Sequence, residues 1–278
     1  MRWIASKRLV YLIKNKMLKE LKYLKTAILF YTRIPCGEIK DYDPDDLNRA
    51  TRYFPFIGWI VGIVMFGVFW LMLMVVNVHI AAAIPLVAGV LVTGGFHEDG
   101  LADAFDGFGG GWTKERILEI MKDSRIGSYG VLALIFDILI KYMILCYLLD
   151  VFSFEHTWML ALFFISYHSL ARLVSCNLIF FSRYARMDAT SKVKPIGKEC
   201  TWKEFFGASL FGLLPLVVFA WHNPLLWCVA IPLFLLVIFA KHFFEKHIDG
   251  FTGDCLGAVE QIAELLILLS FAIIWNFI

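Results

Sequence analysis

The chain has 278 residues, of which 60% are hydrophobic and 18% are charged, and its formal net charge at pH 7 is +2. A water-soluble domain would be closer to about 45–50% apolar, so the composition excludes an ordinary soluble protein and predicts a membrane protein. The small net charge gives no reason to expect a nucleic-acid partner. The 6 cysteines form no C-x-x-C pair, which indicates packing residues rather than a disulfide or zinc framework.

The N-terminal part of the chain is basic. Residues 1–25 are rich in Lys and Arg but lack the apolar core and the cleavage site of a secretory signal peptide. This pattern predicts a basic cytosolic extension. The next apolar stretch, residues 23–34, is short and is interrupted by Lys25, Thr26 and Arg33, which predicts a helix lying in the membrane interface.

Seven further apolar stretches are long enough to cross a bilayer, since a spanning helix takes about 20 residues. They cover residues 54–77, 80–96, 131–152, 157–180, 204–221, 224–241 and 255–278. The sequence contains no internal repeat and no low-complexity linker. The predicted fold is therefore an all-α, polytopic membrane helix bundle of about seven transmembrane helices, formed as a single domain by residues 1–278.

The distribution of basic residues predicts the orientation of this bundle. With the N-terminus inside, 24 of the 26 Lys and Arg fall in segments on the inner side, and the predicted outer turns contain none. Lys and Arg concentrate in the cytoplasmic loops of membrane proteins. We therefore expect a multi-pass protein of the bacterial cytoplasmic (inner) membrane, with the loops at 97–130, 181–203 and 242–254 facing the cytosol.

The most informative segment is His-Glu-Asp-Gly-Leu-Ala-Asp-Ala-Phe-Asp-Gly at residues 97–107. Asp99, Asp103 and Asp106 recur at i, i+4 and i+7, which places them on one face of a helix. No Lys or Arg lies between them to relieve their repulsion, and hard divalent cations prefer carboxylate oxygens. The spacing predicts a site for one or two Mg²⁺ or Mn²⁺ ions. The alternative is a solvated acidic loop at a helix end.

A second acidic helix is expected to follow. Gly109–Gly111 should break the first helix, and Thr113 is suited to cap the second one. Glu119 and Asp123 then recur at i, i+4. Two helices joined by a glycine turn can bring two acidic faces together around the same metal.

Small residues and one guanidinium near these carboxylates favour phosphate binding. Gly100 and Gly107 are expected to leave space for a phosphate beside the acids. Ser124 and Arg125 open a small and polar run, and a guanidinium binds phosphate well.

Several charged residues fall inside predicted spans, where charges are costly and usually line a cavity. They are Asp137, Lys141, Arg172, Glu260 and Glu264. At 1.5 Å per helical residue they lie roughly 8–15 Å below the cytosolic helix ends, and we expect them to ring one chamber open to the cytosol. Asp137 and Lys141 are spaced for a structural ion pair. Arg172 either contacts substrate phosphate or pairs with Glu260 or Glu264; the phosphate role is favoured because the last span is distant in the sequence.

Two further loops carry candidate ligands. Residues 190–198 place Lys194 and Lys198 at the cytosolic rim, where they either bind phosphate or only reflect membrane topology. Residues 250–257 form a glycine-rich turn with Asp254 at the start of the last span. Asp254 is either a helix N-cap or a ligand of substrate or metal.

Six blocks of the chain carry a family resemblance. They are FYTRIP (30–35), FPFIGWIVG (54–62), GGFHEDGLADAFDG (94–107), ERILEIMKDSRIGSYG (115–130), KPIGK (194–198) and GFTGDCLGA (250–258). Over roughly residues 26–264 the chain resembles the cobalamin synthases, the adenosylcobinamide-GDP ribazoletransferases of the membrane. The resemblance implies transfer of adenosylcobinamide phosphate from its GDP ester to α-ribazole or its 5′-phosphate, release of GMP, and a requirement for Mg²⁺. The implied product is adenosylcobalamin or its phosphate.

The family is in turn similar in chemistry to the CDP-alcohol phosphatidyltransferases, whose signature runs D-x-x-D-G-x-x-A-R and then G-x-x-x-D-x-x-x-D. Residues 103–107 fit its first half, but Gly110 and Gly111 stand where Ala-Arg is expected. Glu119 and Asp123 have the mutual spacing of the last pair but lie closer to the first. The departure leaves the exact metal ligands open and the general scheme intact.

The implied chemistry and the residue patterns together give the candidate roles. The metal would bind the diphosphate and neutralise charge on the departing GMP. The candidate metal ligands are Asp99, Asp103, Asp106 and Asp123, followed by Glu98 and Glu119. Asp123 and Asp106 are the candidate catalytic residues, with Asp123 as the base that accepts the ribazole hydroxyl proton. The candidate substrate-binding residues are Ser124, Arg125, Arg172, Lys194, Lys198 and Asp254.

Three other functions compete with this interpretation. They are a phospholipid-forming CDP-alcohol phosphatidyltransferase, a prenyltransferase, and a divalent-cation transporter that uses the intramembrane acids. The expected partners are the two small-molecule substrates and the lipid bilayer, and the sequence leaves a homo-oligomer open.

Overall fold

The computed structural model describes residues 2–151, 157–185, 200–221 and 223–277. This part of the chain is almost entirely helical. Its α-helices are α1 (Arg2–Tyr31), α2 (Asp45–Ala50), α3 (Phe54–Leu73), α4 (Val78–Thr93), α5 (Phe96–Gly110), α6 (Lys114–Ile120), α7 (Ser128–Val151), α8 (Thr157–Phe181), α9 (Trp202–Ala220), α10 (Ala230–Ile248) and α11 (Gly253–Trp275). Within the described ranges there is no β-strand, only an isolated bridge between Tyr184 and Phe251. The all-α prediction is confirmed.

Six of the described helices are long and apolar enough to cross a membrane, and a seventh span exists if α4 and α5 count as one broken span. The six are Asp45–Leu73, Ser128–Val151, Thr157–Phe181, Trp202–Ala220, Pro224–Ile248 and Gly253–Trp275. The prediction of about seven transmembrane helices is therefore confirmed, and the stretch predicted at 80–96 is the exceptional one. With 16 residues, α4 is about 24 Å long and falls short of a hydrocarbon core of about 30 Å.

The chain turns sharply between α4 and α5. Gly94 and Gly95 have φ angles of +72° and +71°, a left-handed conformation that glycine adopts without steric cost. The two helix axes differ by 88°, so α5 runs close to the membrane plane if α4 crosses the membrane. The sequence analysis did not predict this turn. The break that it did predict, at Gly109–Gly111, is confirmed, because α5 ends at Gly110 and its C-cap is Gly111.

The N-terminal segment forms one continuous helix. The interpretation of residues 1–25 as an extension followed by a short helix over 23–34 is wrong in this respect, because α1 contains 30 residues without a break. Its second half is anchored by Glu20, which lies 3.0 Å from Arg52 and accepts a 2.8 Å hydrogen bond from the Tyr53 hydroxyl. Arg52 also contacts Glu204 of α9.

Helices α8 and α11 are the most buried candidate spans, and glycine contacts bring other helices close to them. A Cβ atom at Gly58 of α3 would stand 2.6 Å from the backbone of His168 in α8. A Cβ at Gly257 of α11 would stand 3.2 Å from the Cα of Gly100 in α5. Small residues allow such backbone approach in membrane bundles. The consequence is that polar residues of α5, α8 and α11 meet in the interior.

Candidate active site

The acidic stripe, defined as Asp99, Asp103 and Asp106, lies on α5 as predicted. Its members differ in burial: Asp99 is exposed, Asp103 is half-buried and Asp106 is only 8% exposed. The helical spacing is therefore right, but the three carboxylates do not share one environment. Asp99 and Asp103 are the two with access to solvent.

Asp106 binds the beginning of α7. Its two carboxylate oxygens accept hydrogen bonds from the backbone N–H groups of Gly127 (2.6 Å) and Gly130 (2.9 Å). The first N–H groups of a helix have no partner within the helix, and an anion there is stabilised by the helix dipole. A Cβ atom at Gly127 or Gly130 would stand within 2.4–2.5 Å of an Asp106 oxygen. Asp106 thus has a structural role that the spacing did not predict, and the two glycines are required by it.

The second acidic helix is shorter than predicted. Thr113 caps α6 as expected, accepting a 3.3 Å hydrogen bond from the Arg116 N–H, but α6 ends at Ile120. Asp123 therefore lies in the turn beyond the helix, and the predicted face of Glu119 and Asp123 does not form. Glu119 is exposed and pairs with Arg116 at 2.7 Å.

Asp123 is paired with Arg125. Its carboxylate accepts hydrogen bonds from Arg125 Nε (3.0 Å) and Nη2 (2.6 Å). These hydrogen bonds lower the pKa of Asp123 to about 2. A carboxylate with so low a pKa is a weak proton acceptor, because an efficient general base has a pKa near the working pH. The pairing shows that Asp123 holds the Arg125 guanidinium, and its role as the catalytic base stays a prediction.

The predicted metal ligands do not converge on one point. Glu98 faces the bundle interior, where its Oε1 lies 3.4 Å from Gln261 Nε2, whereas Glu119 and Asp123 lie at the surface. Within the described ranges, no group of three His, Cys, Asp or Glu side chains is placed to hold a metal ion. The six candidate ligands therefore do not form one metal-binding site.

Asp254 lies beside the acidic stripe. A Cβ atom at Gly100 would stand 3.1 Å from the Asp254 carbonyl oxygen, so α5 and the first turn of α11 are in backbone contact. The N-cap of α11 is Thr252, whose hydroxyl accepts a 3.2 Å hydrogen bond from the Cys255 N–H. The interpretation of Asp254 as an N-cap is therefore wrong. The contact places the backbone of Asp254 against Gly100, which lies between Asp99 and Asp103 on α5.

Gly100 and Gly107 of α5 serve helix packing. Gly100 admits the backbone of α11, and a Cβ at Gly107 would stand 2.6 Å from Met121 Cγ. The expectation that these glycines leave space for a phosphate is wrong, because protein atoms fill that space. Of the substrate-binding candidates, Ser124 and Arg125 are exposed, while Lys194 and Lys198 lie outside the described residues.

A second group of charges lies beneath α5. We call it the buried ionic cluster: Asp137 and Lys141 of α7, His168 and Arg172 of α8, and Glu260 and Glu264 of α11. Lys141 Nζ lies 2.9 Å from both Asp137 and Glu264, which confirms the predicted pair of Asp137 with Lys141. Lys141 also donates to Gln261, a residue that the sequence interpretation did not single out.

Arg172 belongs to this cluster and does not face solvent. It is 1% exposed, and its Nη1 lies 3.0 Å from Glu260 and 3.8 Å from Glu264. The same Nη1 donates to the His168 carbonyl at 3.0 Å. The sequence favoured a phosphate-binding Arg172 because the last span is distant in the chain. The structure contradicts the premise, since α8 and α11 pack against each other.

The cluster encloses little space. A cavity of about 40 Å³ is bordered by residues of α3, α4, α5, α7, α8 and α11. On this measure one water needs about 10–15 Å³, so the cavity holds a few waters and no nucleotide. Four residues on its wall carry a buried polar atom without a hydrogen-bond partner in the described residues; they are His97, Glu98, Asp137 and Arg172. A cavity therefore exists among the charged residues where the sequence predicted a chamber, but it is too small for substrate.

Comparison with known proteins covers nearly the whole chain. The sequence model described as cobalamin-5-phosphate synthase matches residues 23–272. A protein of Shewanella frigidimarina named adenosylcobinamide-GDP ribazoletransferase is 42% identical over 251 residues, which are 90% of this chain and 94% of that protein. A protein of the same name from Leptospira interrogans is 38% identical over 268 residues, which are 94% and 99% of the two chains. No solved structure matches. Because the match extends over nearly all of both chains and includes the blocks around the acidic stripe, this chain belongs to the cobalamin-5-phosphate synthase family.

Proposed function

We propose that this protein is an adenosylcobinamide-GDP ribazoletransferase. The hydroxyl of α-ribazole, or of its 5′-phosphate, attacks the phosphorus attached to adenosylcobinamide. The new P–O bond forms as the P–O bond to GMP breaks, GMP leaves, and the hydroxyl proton passes to solvent. Family membership and the names of the relatives support the activity. The observation that carries the proposal is the pair Asp99 and Asp103 on the solvent-accessible side of α5.

This pair suits a magnesium ion. Asp99 and Asp103 lie one helical turn apart, and Gly100 between them contacts the backbone of Asp254. Mg²⁺ usually keeps several waters and is bound by one or two carboxylates together with substrate phosphates. A three-residue protein cage is therefore not required. We propose Asp99 and Asp103 as the principal ligands, with Asp254 beside them and with Asp106 supporting α7. When bound, the metal would supply positive charge against the diphosphate.

The neighbouring residues of the chain orient the substrate. Asp106 holds Gly127 at the start of α7, and this fixes the turn that carries Arg125. Asp123 holds the Arg125 guanidinium, whose charge and planar donors match a phosphate. Phosphoryl transfer depends mainly on positioning and charge neutralisation, so this arrangement does not require a strong base.

The distribution of basic residues supports a cytosolic site. In the topology predicted from the sequence, the segments that contain α5, α6 and the turn at 121–127 lie on the side that holds 24 of the 26 Lys and Arg. Cytoplasmic loops of membrane proteins carry an excess of these residues. We propose that the active site faces the cytosol of a bacterial inner membrane.

The test is an assay of the purified, full-length protein in phospholipid nanodiscs. Adenosylcobinamide-GDP and α-ribazole are supplied with Mg²⁺, with EDTA, or with a CDP-alcohol in place of the corrinoid donor. We expect GMP and a cobalamin product to form in equal amounts, only with the corrinoid donor and only with Mg²⁺. Turnover of the CDP-alcohol, or full activity in EDTA, would contradict the proposal.

A further inference from the structure

Arg33 lies at the turn between α4 and α5. Its backbone N–H donates a 2.7 Å hydrogen bond to the carbonyl of Val92, in the last turn of α4. Its side chain crosses Gly94, where a Cβ atom would stand only 2.2 Å from Arg33 Nε. Gly94 thus accommodates this side chain as well as the left-handed backbone of the turn. Arg33 belongs to the FYTRIP block (30–35), which the proposed function does not use.

Aromatic contacts hold the segment that carries Arg33. Phe30 packs edge to face on Phe96, the first residue of α5, with ring centroids 5.5 Å apart. Tyr31 stacks on Phe54 at 4.2 Å. The backbone of Arg33 is therefore fixed relative to the start of α5, and a preorganised group loses less entropy when it binds a ligand.

Arg33 stands at the beginning of the acidic stripe. The Asp99 N–H donates a 2.9 Å hydrogen bond to the Gly95 carbonyl, so Asp99 is one helical turn from Gly95, the residue that follows the Gly94 covered by Arg33. Arg33 is exposed, and the ion pairs found within the described ranges do not include it. Its charge is therefore accessible to a ligand from solvent.

A second guanidinium stands at the other end of the stripe. Arg125 precedes Gly127, whose N–H binds Asp106. From Gly95 to Asp106 the helix rises about 16 Å. The carboxylates of the stripe are thus flanked by one arginine at each end, and guanidinium groups bind phosphates with two parallel hydrogen bonds.

We propose that Arg33 is a substrate-binding residue that contacts the diphosphate of the nucleotide substrate from the α4 side, opposite Arg125. This inference rests on the proposed function. The competing explanation is structural: a cation at the C-terminus of α4 would also stabilise the carbonyl end of that helix. The two explanations predict different measurements.

The experiment compares Arg33→Gln, Arg33→Lys and the control Arg49→Gln, which removes an exposed arginine from α2. Each full-length variant is purified in detergent. The KM for adenosylcobinamide-GDP, the binding of GDP with Mg²⁺ by calorimetry, and the Tm without ligand are measured. We expect Arg33→Gln to raise KM and the Kd for GDP by about 10- to 100-fold, the loss expected for a hydrogen-bonded charge, with an unchanged Tm. Arg33→Lys should recover part of the binding, and Arg49→Gln should match the wild type.

A lower Tm in Arg33→Gln, restored in Arg33→Lys with KM and Kd unchanged throughout, would show that Arg33 only stabilises α4. If the wild type transfers the corrinoid and Arg33→Gln binds GDP equally well, the inference fails and the proposed function stands. If the wild type neither transfers the corrinoid nor binds GDP, both fail.

Discussion

The acidic stripe and the buried ionic cluster both contain carboxylates one helical turn apart on the same helix, but their surroundings differ. The carboxylates of the cluster are neutralised within the protein, by Lys141 and Arg172 at 2.9–3.0 Å. Asp99 and Asp103 lie on the solvent side of α5. A charge inside the membrane needs a partner in the fold, whereas a charge near water is stabilised by hydration and is accessible to a ligand. Helix α5 therefore separates the surface that we propose to bind ligand from a structural interior.

The largest expected effect tests the solvent side of this division. Asp103→Asn keeps the shape of the side chain but removes the charge that a metal–diphosphate complex needs. We expect transfer activity to fall by about 100-fold or more, with Tm unchanged. The matched control is Glu115→Gln, an exposed acid in the first turn of α6. Near-normal turnover of Asp103→Asn at limiting Mg²⁺ would show that Asp103 is not a metal ligand.

The next effect tests the interior side. Lys141→Met leaves Asp137 and Glu264 without their shared partner, and breaking a buried ion pair costs about 3–5 kcal/mol. The free energy of unfolding in detergent should fall by an amount in that range. Adding Glu264→Gln should restore part of it, because the two sites are coupled. If Lys141→Met is as stable as the wild type, or if the double variant shows no coupling, the cluster does not hold the bundle together.

Arg172→Gln sharpens the same distinction. Arg172 is paired with Glu260 in the interior, so we expect a lower Tm in the absence of substrate and an unchanged KM for adenosylcobinamide-GDP. Glu260→Gln in the same chain should recover stability. A variant with a normal Tm but a raised KM would instead show that Arg172 binds substrate.

Asp106 lies between the two regions and should show both effects. Asp106→Asn replaces one of two acceptor oxygens with an amide donor, which leaves one N–H of the α7 start unsatisfied. This should cost about 1–3 kcal/mol of stability. A parallel loss of activity is expected, because the turn that carries Arg125 loses its support. Unchanged stability would mean that Asp106 does not cap α7.

The smallest effect concerns the pair of Asp123 and Arg125. The pKa of Asp123 is lowered to about 2 by Arg125, below the unfolded value of about 3.9, so the pair contributes stability above about pH 4. This contribution is lost as the pH falls from about 4 to about 2. The difference in stability between the wild type and Asp123→Asn should therefore be small and constant near neutral pH and should vanish in acid. A difference that vanishes between pH 5 and 7 would indicate a much higher pKa, and with it a base role.

Local features of the chain could be predicted because they depend on neighbouring residues. Hydropathy located the spans, the i, i+4, i+7 spacing placed the acidic stripe on one helix, and Thr113 capped α6 as expected. The pair of Asp137 with Lys141 was also predictable, since both lie on one helix face. The family blocks were readable in the same way, because a motif is a local pattern.

The sequence by itself thus determined the membrane class, the helices and the acidic residues of this protein. The tertiary structure decided which carboxylates are available. The 88° bend at Gly94 and Gly95 turns α5 across the bundle, and the glycine contact between α5 and α11 brings Asp254 beside the stripe. Glu98 and Asp99 are adjacent in the chain, but Glu98 contacts Gln261 in the interior whereas Asp99 is exposed. Pairing depends on how helices far apart in the sequence cross, and no local pattern encodes that crossing.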